Sequence, residues 1–472
     1  MTKPIPWKTS EILEATKGKL LFGDTDNSFS DVSIDSREIS DDSIFVAVKG
    51  ENHDGHSFTG NVAENGVRCL IVNKDKVGEL PCNEWKEKGV VCIAVKDTVK
   101  ALGHLAAYNR ERSNVSVAAI TGSNGKTSTR AMTVAVLSER FNTLSPKGNY
   151  NNEIGVPLTL LNLSHDHEWA VIELGMNHFG EIEMLAEICD PDIGIITNIG
   201  PAHLKGVGSI EGVMCAKGEL MGKIKPTGAA VLNADDSRVA KCGEKSAARG
   251  VRNLLYSGTG NPESEIRALS VKEKGYETSF TLVLPEESVP VAIGVPGSFM
   301  VSNALAAACA GYLAGLSAKE ISQGLENFKP VHGRMNILDT DRGIHIIDDT
   351  YNANPGSMEA ALTTLRSLKG SKRGIFVAGD MLELGEHSES MHKKIGSLAV
   401  RYSVAKLYAF GNFAEAVAEG AMTEGMNPKD ILTGTKKQIT KHLEDLLEPG
   451  DWLLVKGSRG MRMEEIVEEI GK

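Results

Sequence analysis

The spacing of apolar residues divides the chain into three stretches. In the first, short apolar runs at 43–48, 68–72 and 90–95 are separated by polar segments, which predicts a small α/β module. In the second, longer units alternate between strand-like and helix-like patterns. Its predicted strands are 115–120, 169–174, 193–199 and 229–233, and its predicted helices are 126–138 and 209–223. Strands separated by helices favour a parallel sheet of the nucleotide-binding kind.

The rest of the chain changes pattern twice. Apolar-polar alternation within 264–293 predicts an antiparallel extension of the sheet, and an alanine-rich helix follows at 301–314. A third stretch then repeats the strand and helix alternation, with predicted strands at 343–348, 374–378, 405–410 and 451–456. It predicts a second doubly wound α/β unit. We therefore expect an α/β protein of three domains, with boundaries at 1–112, 113–329 and 330–472.

Composition narrows the classes of function. A net charge of -11 disfavours nucleic-acid binding, which needs a concentrated basic face. The first 21 residues contain no sustained apolar run, so we expect neither a secretory signal nor a membrane anchor. Seven scattered cysteines without a C-x-x-C pair are typical of free thiols in a reducing compartment. These features predict a cytoplasmic protein without stable membrane association.

The stretch T-G-S-N-G-K-T-S at 121–128 lies between a predicted strand and a predicted helix. Common phosphate loops place four residues before the final Gly-Lys, whereas only two separate Gly122 from Gly125. Glycines let backbone N–H groups approach phosphate oxygens, and the helix directs its positive end toward them. Lys126 could neutralise phosphates and Thr127 could ligate Mg²⁺. An ordinary glycine turn is the alternative, and the strand-to-helix position disfavours it.

Three further residues have the chemistry of an active site. Glu173 ends a buried strand, where an acid needs a cation or a metal as partner. His203 follows the next strand, and a metal ligand and a structural histidine are equally good interpretations of it. Lys217 lies on the helix after that histidine, where a surface lysine is the default interpretation.

Two polar runs follow strands of the third stretch. The run I-I-D-D-T-Y-N-A-N-P at 346–355 lies at the carboxyl edge of a strand, where α/β sheets bind ligands. A structural turn competes with that interpretation, because Asp and Asn before Pro favour turns. The run V-K-G-S-R-G at 455–460 carries Lys456 and Arg459, which suit an anion or a simple helix start.

Together these stretches resemble the Mur ligases of peptidoglycan synthesis. The similar segments in the second and third stretches are T-G-S-N-G-K-T-S (121–128), G-N-Y-N-N-E-I-G-V-P (148–157), E-L-G-M-N (173–177), T-N-I-G-P-A-H (197–203), A-K-G-E (216–219), D-D-T-Y-N-A-N-P (348–355), V-A-G-D-M-L-E-L-G (377–385) and V-K-G-S-R (455–459). D-S-R at 35–37 and K-G-x-x-x-D-G-H-x-F at 49–58 extend the likeness into the first stretch. Each motif alone is moderately specific, but their order along the chain is highly specific.

The resemblance implies a domain for a UDP-muramyl substrate, a central P-loop-type ATPase domain and a Rossmann-like carboxyl-terminal domain. It implies an ATP-dependent amide ligase that acts through an acyl phosphate. The forms of the 348–355 and 455–459 motifs, and the absence of a D-N-P-R motif, favour the branch that joins D-alanyl-D-alanine to UDP-N-acetylmuramoyl-tripeptide. A monomer is the default expectation.

The resemblance also implies roles for individual residues. Catalytic roles fall on Lys126, Glu173, His203, Lys217 and Arg334. ATP contacts fall on Gly122, Ser123, Asn124, Gly125, Lys126, Thr127, Ser128, Asn303, Arg334 and Asp349, with Asn303 at adenine and Asp349 at ribose. Substrate contacts fall on Ser36, Arg37, Asp54, Gly55, His56, Asn151, Asn152, Asn352, Lys456 and Arg459. Two Mg²⁺ ions would be held by Thr127, Glu173, His203 and Lys217, the last of which matches a lysine that can be carbamylated.

The chain departs from the family pattern at one place. Where relatives often carry His-Asn before the adenine-side asparagine, it has Phe299 and Met300, so Phe299 is an alternative stacking partner for the base. Three alternative functions are kept. They are a sister ligase that adds another amino acid, a folylpolyglutamate-synthetase-like enzyme, and a regulatory protein that binds ATP without ligation. The D-S-R and D-G-H segments disfavour the folate enzyme.

Overall fold

The computed structural model describes residues 3–50, 53–146 and 148–472. Glu51 and Asn52, which belong to the motif at 49–58, lie outside the described residues. Three sheets, each within one of the three stretches, organise the chain, and one antiparallel strand pair accompanies the first. Within the described ranges, no helix combines the length and apolar character needed to cross a membrane.

The amino-terminal sheet has the order β2-β7-β6-β5-β4, parallel except for β2, and β1 pairs separately with β3. The strands are β1 (Trp7–Lys8), β2 (Lys19–Phe22), β3 (Ser28–Phe29), β4 (Asp31–Ser33), β5 (Ser43–Val46), β6 (Cys69–Asn73) and β7 (Val91–Val95). The helices are α1 (Thr9–Thr16), α2 (Thr59–Glu64), α3 (Cys82–Glu87) and α4 (Thr98–Ser113). Strands β5, β6 and β7 are continuous apolar runs because both faces of a parallel sheet are covered.

The central sheet has the order β16-β15-β14-β13-β12-β11-β8-β10-β9. Its strands are β8 (Ser116–Thr121), β9 (Thr143–Leu144), β10 (Trp169–Glu173), β11 (Ile193–Ile196), β12 (Ala229–Asn233), β13 (Arg252–Ser257), β14 (Ile266–Lys274), β15 (Glu277–Val283) and β16 (Ser288–Ile293). The helices are α5 (Lys126–Leu137), α6 (Gly155–Leu160), α7 (Glu181–Cys189), α8 (Leu204–Val207), α9 (Ile210–Lys217), α10 (Ser237–Ala247), α11 (Phe299–Leu313) and α12 (Ala318–Asn327). Only β15 runs antiparallel, as the alternation within 264–293 predicts.

The carboxyl-terminal sheet has the order β17-β18-β22-β19-β20-β21 and is parallel except for β17. Its strands are β17 (Asn336–Asp339), β18 (His345–Asp349), β19 (Gly374–Gly379), β20 (Lys406–Phe410), β21 (Ile431–Thr433) and β22 (Trp452–Lys456). Its helices are α13 (Pro355–Lys369), α14 (Ser388–Arg401), α15 (Ala414–Thr423), α16 (Lys436–Leu446) and α17 (Glu464–Ile470). The expected three-domain α/β architecture is confirmed.

Helix α4 ties the first sheet to the second. Leu102 and Leu105 of α4 are buried in one apolar cluster with Val156 and Leu160 of α6. The same cluster continues to the amino-terminal sheet through Ile93. The first two domains therefore share a packed core rather than meeting through a bare linker.

Three predicted elements differ in their bounds from the observed ones. The strand predicted at 193–199 ends at Ile196, because the next side chains turn aside to bind the phosphate loop. The helix predicted at 301–314 begins at Phe299, which puts that side chain at the edge of the central cavity. In addition, the helix predicted at 209–223 covers only Ile210–Lys217 and is followed by a short turn of 3₁₀ helix.

Candidate active site

The phosphate loop joins the centre of the middle sheet to α5. Strand β8 ends at Thr121, and α5 begins at Lys126 after four loop residues. Gly122 has φ 149°, and a Cβ there would lie 1.9 Å from the hydroxyl of Thr197. Gly125 has φ 80°, and a Cβ there would lie 2.3 Å from Oδ1 of Asn303. Both positions therefore require glycine, both for conformation and for space.

The neighbouring strand holds the loop in shape. Asn198 accepts a hydrogen bond from the backbone N–H of Asn124 (2.9 Å) and donates one to its carbonyl oxygen (3.0 Å). The hydroxyl of Thr197 donates to the same carbonyl at 2.6 Å. The sequence analysis did not single out Thr197 or Asn198 as site residues, although both belong to the T-N-I-G-P-A-H segment. Their contacts hold the backbone of Asn124, between the two glycines, in place.

The two side chains that follow the loop point to different partners. The ammonium of Lys126 donates to the carbonyl of Gly122 at 2.9 Å. The hydroxyl of Thr127 donates to Oε2 of Glu173 at 2.9 Å and accepts from the guanidinium of Arg334 at 3.1 Å. Thr127 thus links the central domain to the first residues of the third domain.

Glu173 is an almost fully buried carboxylate, 1% exposed, at the end of β10. Its Oε1 accepts from the amide of Asn151 at 3.0 Å. Burial acts to raise the pKa of Glu173, but nearby cations outweigh burial and hold the pKa below its ordinary value. The cations are Lys126, Arg130 and Arg334. The acid is therefore ionised within a pocket of positive charge.

Orphaned donors mark a place for an anion beside this carboxylate. The Nε atoms of Arg130 and Arg334 are buried, and neither has a hydrogen-bond partner among the described residues. Arg130, 6% exposed, uses its NH1 to donate to the carbonyl of Gly148 at 2.9 Å. Burial and the neighbouring Arg334 lower the pKa of Arg130, although Glu173 opposes them. Arg130 was not predicted from the sequence, although it lies one turn into the helix after the loop.

Lys217 is buried, at 1% exposure, which contradicts the default interpretation of a surface lysine. Its pKa lies well below the ordinary value, first because of burial and then because of the charge of Lys126. Within the described residues its ammonium makes neither a hydrogen bond nor an ion pair. The lowered pKa makes the neutral, nucleophilic form of the amine easier to reach, and only Glu173 favours the charged form.

His203 meets the third domain. Its Nδ1 lies 2.6 Å from Oε2 of Glu383, at an angle outside that of an aligned hydrogen bond. Burial lowers the pKa of His203; Glu383 opposes this effect, whereas Lys126 and Lys217 reinforce it. Glu383 is a further residue that was not predicted from the sequence, although it lies in the motif at 377–385.

Polar residues of the third domain lie opposite the phosphate loop. Lys456, 2% exposed, donates to Oδ2 of Asp349 at 2.5 Å and to the carbonyl of Asn352 at 2.8 Å. Its ammonium therefore fixes the loop after β18 instead of pointing freely into solution. Asp349 also accepts from the backbone N–H of Met335 at 3.2 Å. Asn354, at the start of α13, donates to Oδ1 of Asn124 in the phosphate loop at 2.7 Å.

The ring of Tyr351 lies close to two guanidinium groups. Arg334 is 4.3 Å and Arg459 is 5.6 Å from the centre of its ring, which are cation–π distances. Arg459 remains 63% exposed and pairs with Glu464 at 2.9 Å. Of the two cations of the last strand, Arg459 is therefore the accessible one.

These groups surround one cavity of about 610 Å³ between the second and third domains. The predicted residues that line it are Ser123, Asn124, Gly125, Lys126, Thr127, Ser128, Asn151, Asn152, Glu173, His203, Asn303, Arg334, Asp349, Asn352, Lys456 and Arg459. Phe299 and Met300 line it as well. Gly122 and Lys217 lie behind this lining, the first within the loop and the second buried.

The residues predicted for the UDP portion lie in the first domain and do not line this cavity. Arg37 is 84% exposed and pairs with Asp35 at 2.6 Å. His56 is buried: its Nε2 accepts from the backbone N–H of Asn73 at 2.9 Å, and its Nδ1 lies 2.6 Å from Oδ1 of Asp54. The His56 ring therefore stabilises the 54–56 turn, in which the backbone N–H groups of Gly55 and His56 are bonded within the domain as well. Ser36 and Gly55 accompany these residues in the same two turns.

The donor set suits a hard cation next to phosphates. The described ranges contain no group of three His, Cys, Asp or Glu side chains able to hold a metal by themselves. A hydroxyl and an ionised carboxylate 2.9 Å apart, Thr127 and Glu173, are nevertheless ligands that Mg²⁺ accepts when phosphate oxygens and water complete its shell. The residues present therefore fit an ion bound together with a nucleotide.

Family comparisons agree with this geometry. The profile of the Mur ligase family catalytic domain matches residues 28–110, that of the Mur ligase middle domain matches 120–311, and that of the Mur ligase glutamate ligase domain matches 333–459. A UDP-N-acetylmuramoyl-tripeptide–D-alanyl-D-alanine ligase of Escherichia coli strain K12 is 35% identical over 460 residues, which cover 97% of each chain.

Solved structures extend the agreement to three dimensions. A crystal structure of MurF from Acinetobacter baumannii superposes with a TM-score of 0.89 at 32% identity, over 99% of both chains. The crystal structure of MurF ligase from Thermotoga maritima in complex with ADP superposes with a TM-score of 0.81 at 26% identity, over 93% of this chain and 97% of that one. Because the three profiles match in order and these relatives cover nearly the whole chain in sequence and in structure, the chain belongs to the Mur ligase family.

Proposed function

We propose that this protein is the ligase that joins D-alanyl-D-alanine to UDP-N-acetylmuramoyl-tripeptide and converts ATP to ADP and phosphate. The observation that carries the proposal is one cavity where the short phosphate loop, the buried carboxylate of Glu173 and the guanidinium of Arg334 meet. Relatives that carry the name of this ligase match nearly the whole chain. The product is the UDP-muramoyl-pentapeptide precursor of peptidoglycan.

The chemistry explains the need for ATP. A carboxylate is a poor electrophile, so the terminal carboxylate of the tripeptide first attacks the γ-phosphorus of ATP and releases ADP. The amine of D-alanyl-D-alanine then attacks the resulting acyl phosphate at its carbonyl carbon. The tetrahedral intermediate expels phosphate and leaves the amide, and the amine loses a proton. Both steps depend on positioning and on neutralising phosphate charge.

The residues around the phosphate loop supply that charge. The amino-terminal end of α5 and the ammonium of Lys126 face the β- and γ-phosphates. The unpartnered Nε of Arg334, which lines the cavity, suits the transferring phosphoryl group or the tripeptide carboxylate, whereas Arg130 lies behind the lining and adds positive charge beside Glu173. All three side chains are held before ligand arrives, so little reorganisation accompanies reaction.

Magnesium belongs to the proposal as a resident cation. Thr127 and Glu173 would hold one ion and His203 would contribute to a second, and the ions would offset charge on the phosphates. Carbamylation would turn the buried amine of Lys217 into an anionic ligand. Support comes from its burial, its low pKa and the lack of a bonding partner among the described residues.

The nucleoside end of ATP fits the region between α11 and α13. Phe299 lines the cavity there and offers an aromatic face to adenine. Asn303 is buried against Gly125 and lies 3.3 Å from the hydroxyl of Thr129, so it contributes by supporting the loop as well as by meeting the base. Asp349, fixed by Lys456, is assigned to the ribose.

The remaining assignments concern the other substrates and the assembly. We assign the UDP portion to Ser36, Arg37 and the 54–56 turn of the first domain, and the peptide portion to Asn151, Asn152, Asn352 and Arg459. Domain boundaries are proposed at 1–112, 113–329 and 330–472. We place the reaction in the cytoplasm, because ATP and the nucleotide-linked substrate are both needed for it. We expect the protein to act as a monomer.

Water exclusion follows from the contact between the second and third domains. Asn354 bonds to Asn124 and Arg334 bonds to Thr127, so the third domain covers the phosphate loop. An acyl phosphate hydrolyses if water reaches it, and a closed cavity protects it until the amine attacks.

Phosphate release with purified substrates tests the proposal. The protein is mixed with ATP, Mg²⁺ and UDP-N-acetylmuramoyl-tripeptide, with and without D-alanyl-D-alanine. The tripeptide carries either meso-diaminopimelate or lysine at its third position. Phosphate release is followed, and the mass of the product is measured by mass spectrometry. Sustained release only with both substrates, together with the mass of the pentapeptide, is expected. Turnover with a shorter nucleotide peptide and a single amino acid would indicate a sister ligase. ATP binding without turnover in any mixture would favour a regulatory protein.

A further inference from the structure

The loop at 380–385, between β19 and α14, reaches across from the third domain to the central domain. The backbone carbonyl of Glu383 accepts from the N–H of Lys205 at 3.1 Å. Its carboxylate lies 2.6 Å from Nδ1 of His203, two residues earlier in the central domain. One residue therefore contacts His203 and Lys205 through two different groups, and both Glu383 and His203 line the cavity.

Both partners in this contact have unusual backbones. Glu383 has φ 67° and His203 has φ 56°, in the left-handed region that residues other than glycine seldom adopt. Such conformations are strained and persist where surrounding contacts determine them. For Glu383 those contacts include Ser458, whose hydroxyl accepts from the N–H of the preceding residue, Leu382, at 2.9 Å. The loop is thus anchored in its own domain and directed at the other.

The contact distinguishes the two nitrogens of the His203 ring. The negative charge of Glu383, 2.6 Å from Nδ1, favours the tautomer of a neutral imidazole that carries its proton on Nδ1 and its lone pair on Nε2. A carboxylate that fixes the tautomer of a histidine in this way makes the other nitrogen a better ligand for a cation. The carboxylate comes from the third domain, so the ring is set only when the two domains are together.

We propose that Glu383 is a positioning residue for ligation: on closure of the third domain it fixes the orientation and tautomer of His203, so that Nε2 is presented to the cavity. This inference rests on the proposed function for its consequence in turnover. Its structural part, the dependence of the His203 tautomer on Glu383, stands independently of the reaction. Glu383 acts through His203 and is not itself assigned to touch either substrate.

The test compares wild type, Glu383→Ala and a matched control, Glu386→Gln. Glu386 is an exposed acid three residues further along the same segment. Histidine side-chain nitrogens are observed by NMR in ¹⁵N-labelled protein, with and without ADP, and His203→Gln identifies the signal. We expect the Nδ1–H tautomer of His203 in wild type and in Glu386→Gln, and a mixture of tautomers in Glu383→Ala.

Kinetics form the second readout. Glu383→Ala should lower kcat for dipeptide-dependent phosphate release by about 10- to 100-fold, while KM for the nucleotide tripeptide and the melting temperature stay near wild type. Identical His203 signals in wild type and Glu383→Ala, in both ligand states, would overturn the inference, as would an unchanged kcat. If wild type itself released no phosphate, the proposed function would fail, and the NMR comparison would still decide the role of Glu383.

Discussion

The hydroxyl of Thr127 donates a 2.9 Å hydrogen bond to the carboxylate of Glu173, across 46 residues of sequence. The contact places the first turn of α5 directly against the end of β10. It holds the hydroxyl of Thr127 and the ionised carboxylate of Glu173 side by side at the end of the phosphate loop. Their separation is set by the parallel pairing of β8 with β10, because Glu173 lies opposite Ile120 in register.

Replacing this hydroxyl should impair turnover more than folding. Thr127→Val keeps the shape of the side chain but removes a cation ligand and a donor to Glu173. We expect phosphate release to fall about 100-fold and the free energy of unfolding to fall by about 1 to 2 kcal/mol. Thr363→Val, which removes an exposed hydroxyl from α13, is the matched control. Equal turnover in the two variants would contradict a role for the Thr127 hydroxyl.

Lys126 should be essential for activity and dispensable for the fold. Its pKa is lowered by burial, with Arg334 adding to the effect and Glu173 opposing it, so its charge is held at a cost in the absence of phosphate. Lys126→Met should reduce ligation by at least about 100-fold without lowering the melting temperature. Lys241→Met, on the exposed face of α10, controls for general loss of charge. Near-normal turnover of Lys126→Met would exclude the phosphate role.

Lys217 should be replaceable in part by a small acid. Lys217→Ala removes the amine that carbamylation would convert to an anion and leaves space for a short carboxylate. We expect activity to be lost and then partly restored by added formate or acetate, measured as dipeptide-dependent phosphate release. Chloride at equal ionic strength is the control. Equal activity of wild type and Lys217→Ala would show that the lysine is structural.

Lys217 should also give a pH dependence of stability with a definite sign. Its pKa is well below 10.5 in the folded protein and near the ordinary value in the unfolded chain. Between those two values the unfolded state binds more protons, so the stability of wild type rises with pH. Relative to Lys217→Met in CO₂-free buffer, wild type should gain up to about 1.4 kcal/mol per pH unit in urea unfolding within that interval. A constant difference would contradict the shift.

Arg130 should couple the helix after the phosphate loop to the asparagine-rich segment at 148–152. Its guanidinium bonds to the carbonyl of Gly148, and Asn151 in that segment bonds to Glu173. Arg130→Met removes this hydrogen bond, and because Gly148 is exposed its carbonyl can bond to water instead. We therefore expect a loss of about 0.5 to 1.5 kcal/mol in unfolding free energy together with reduced kcat. Arg130→Lys should restore part of both. Unfolding curves and phosphate release on the same preparations provide the measurement.

The local pattern of apolar and polar residues was sufficient to predict most of the strands. The apolar runs predicted strands that the structure contains at β5 to β8, β10 to β12, β18 to β20 and β22, because buried parallel strands are read as continuous apolar segments. The strand ends were less predictable. The predicted strand extended through Thr197, Asn198 and Ile199, but side-chain bonds from Thr197 and Asn198 to the phosphate loop end β11 at Ile196.

The site was predictable where a motif fixes backbone geometry. Gly122, Gly125 and Lys126 could be identified from spacing alone, since only glycine fits the two positions. The environment of Lys217 could not, because a lysine on a short helix carries no local sign that α9 turns its last residue toward Lys126 and Glu173. Glu383 and Arg130 were missed for the same reason, as their partners lie on distant segments.

The sequence by itself determined the element types, the place of the phosphate loop between a strand and a helix, and the family resemblance, because these depend on neighbouring residues and on the order of motifs. Tertiary structure alone decided which charges meet. The carboxyl ends of β8, β10 and β11 bring Lys126, Glu173 and His203 together, and the third domain adds Arg334 and Glu383. Burial and charge at that junction, which are properties of packing rather than of local pattern, hold Glu173 ionised and favour a neutral Lys217.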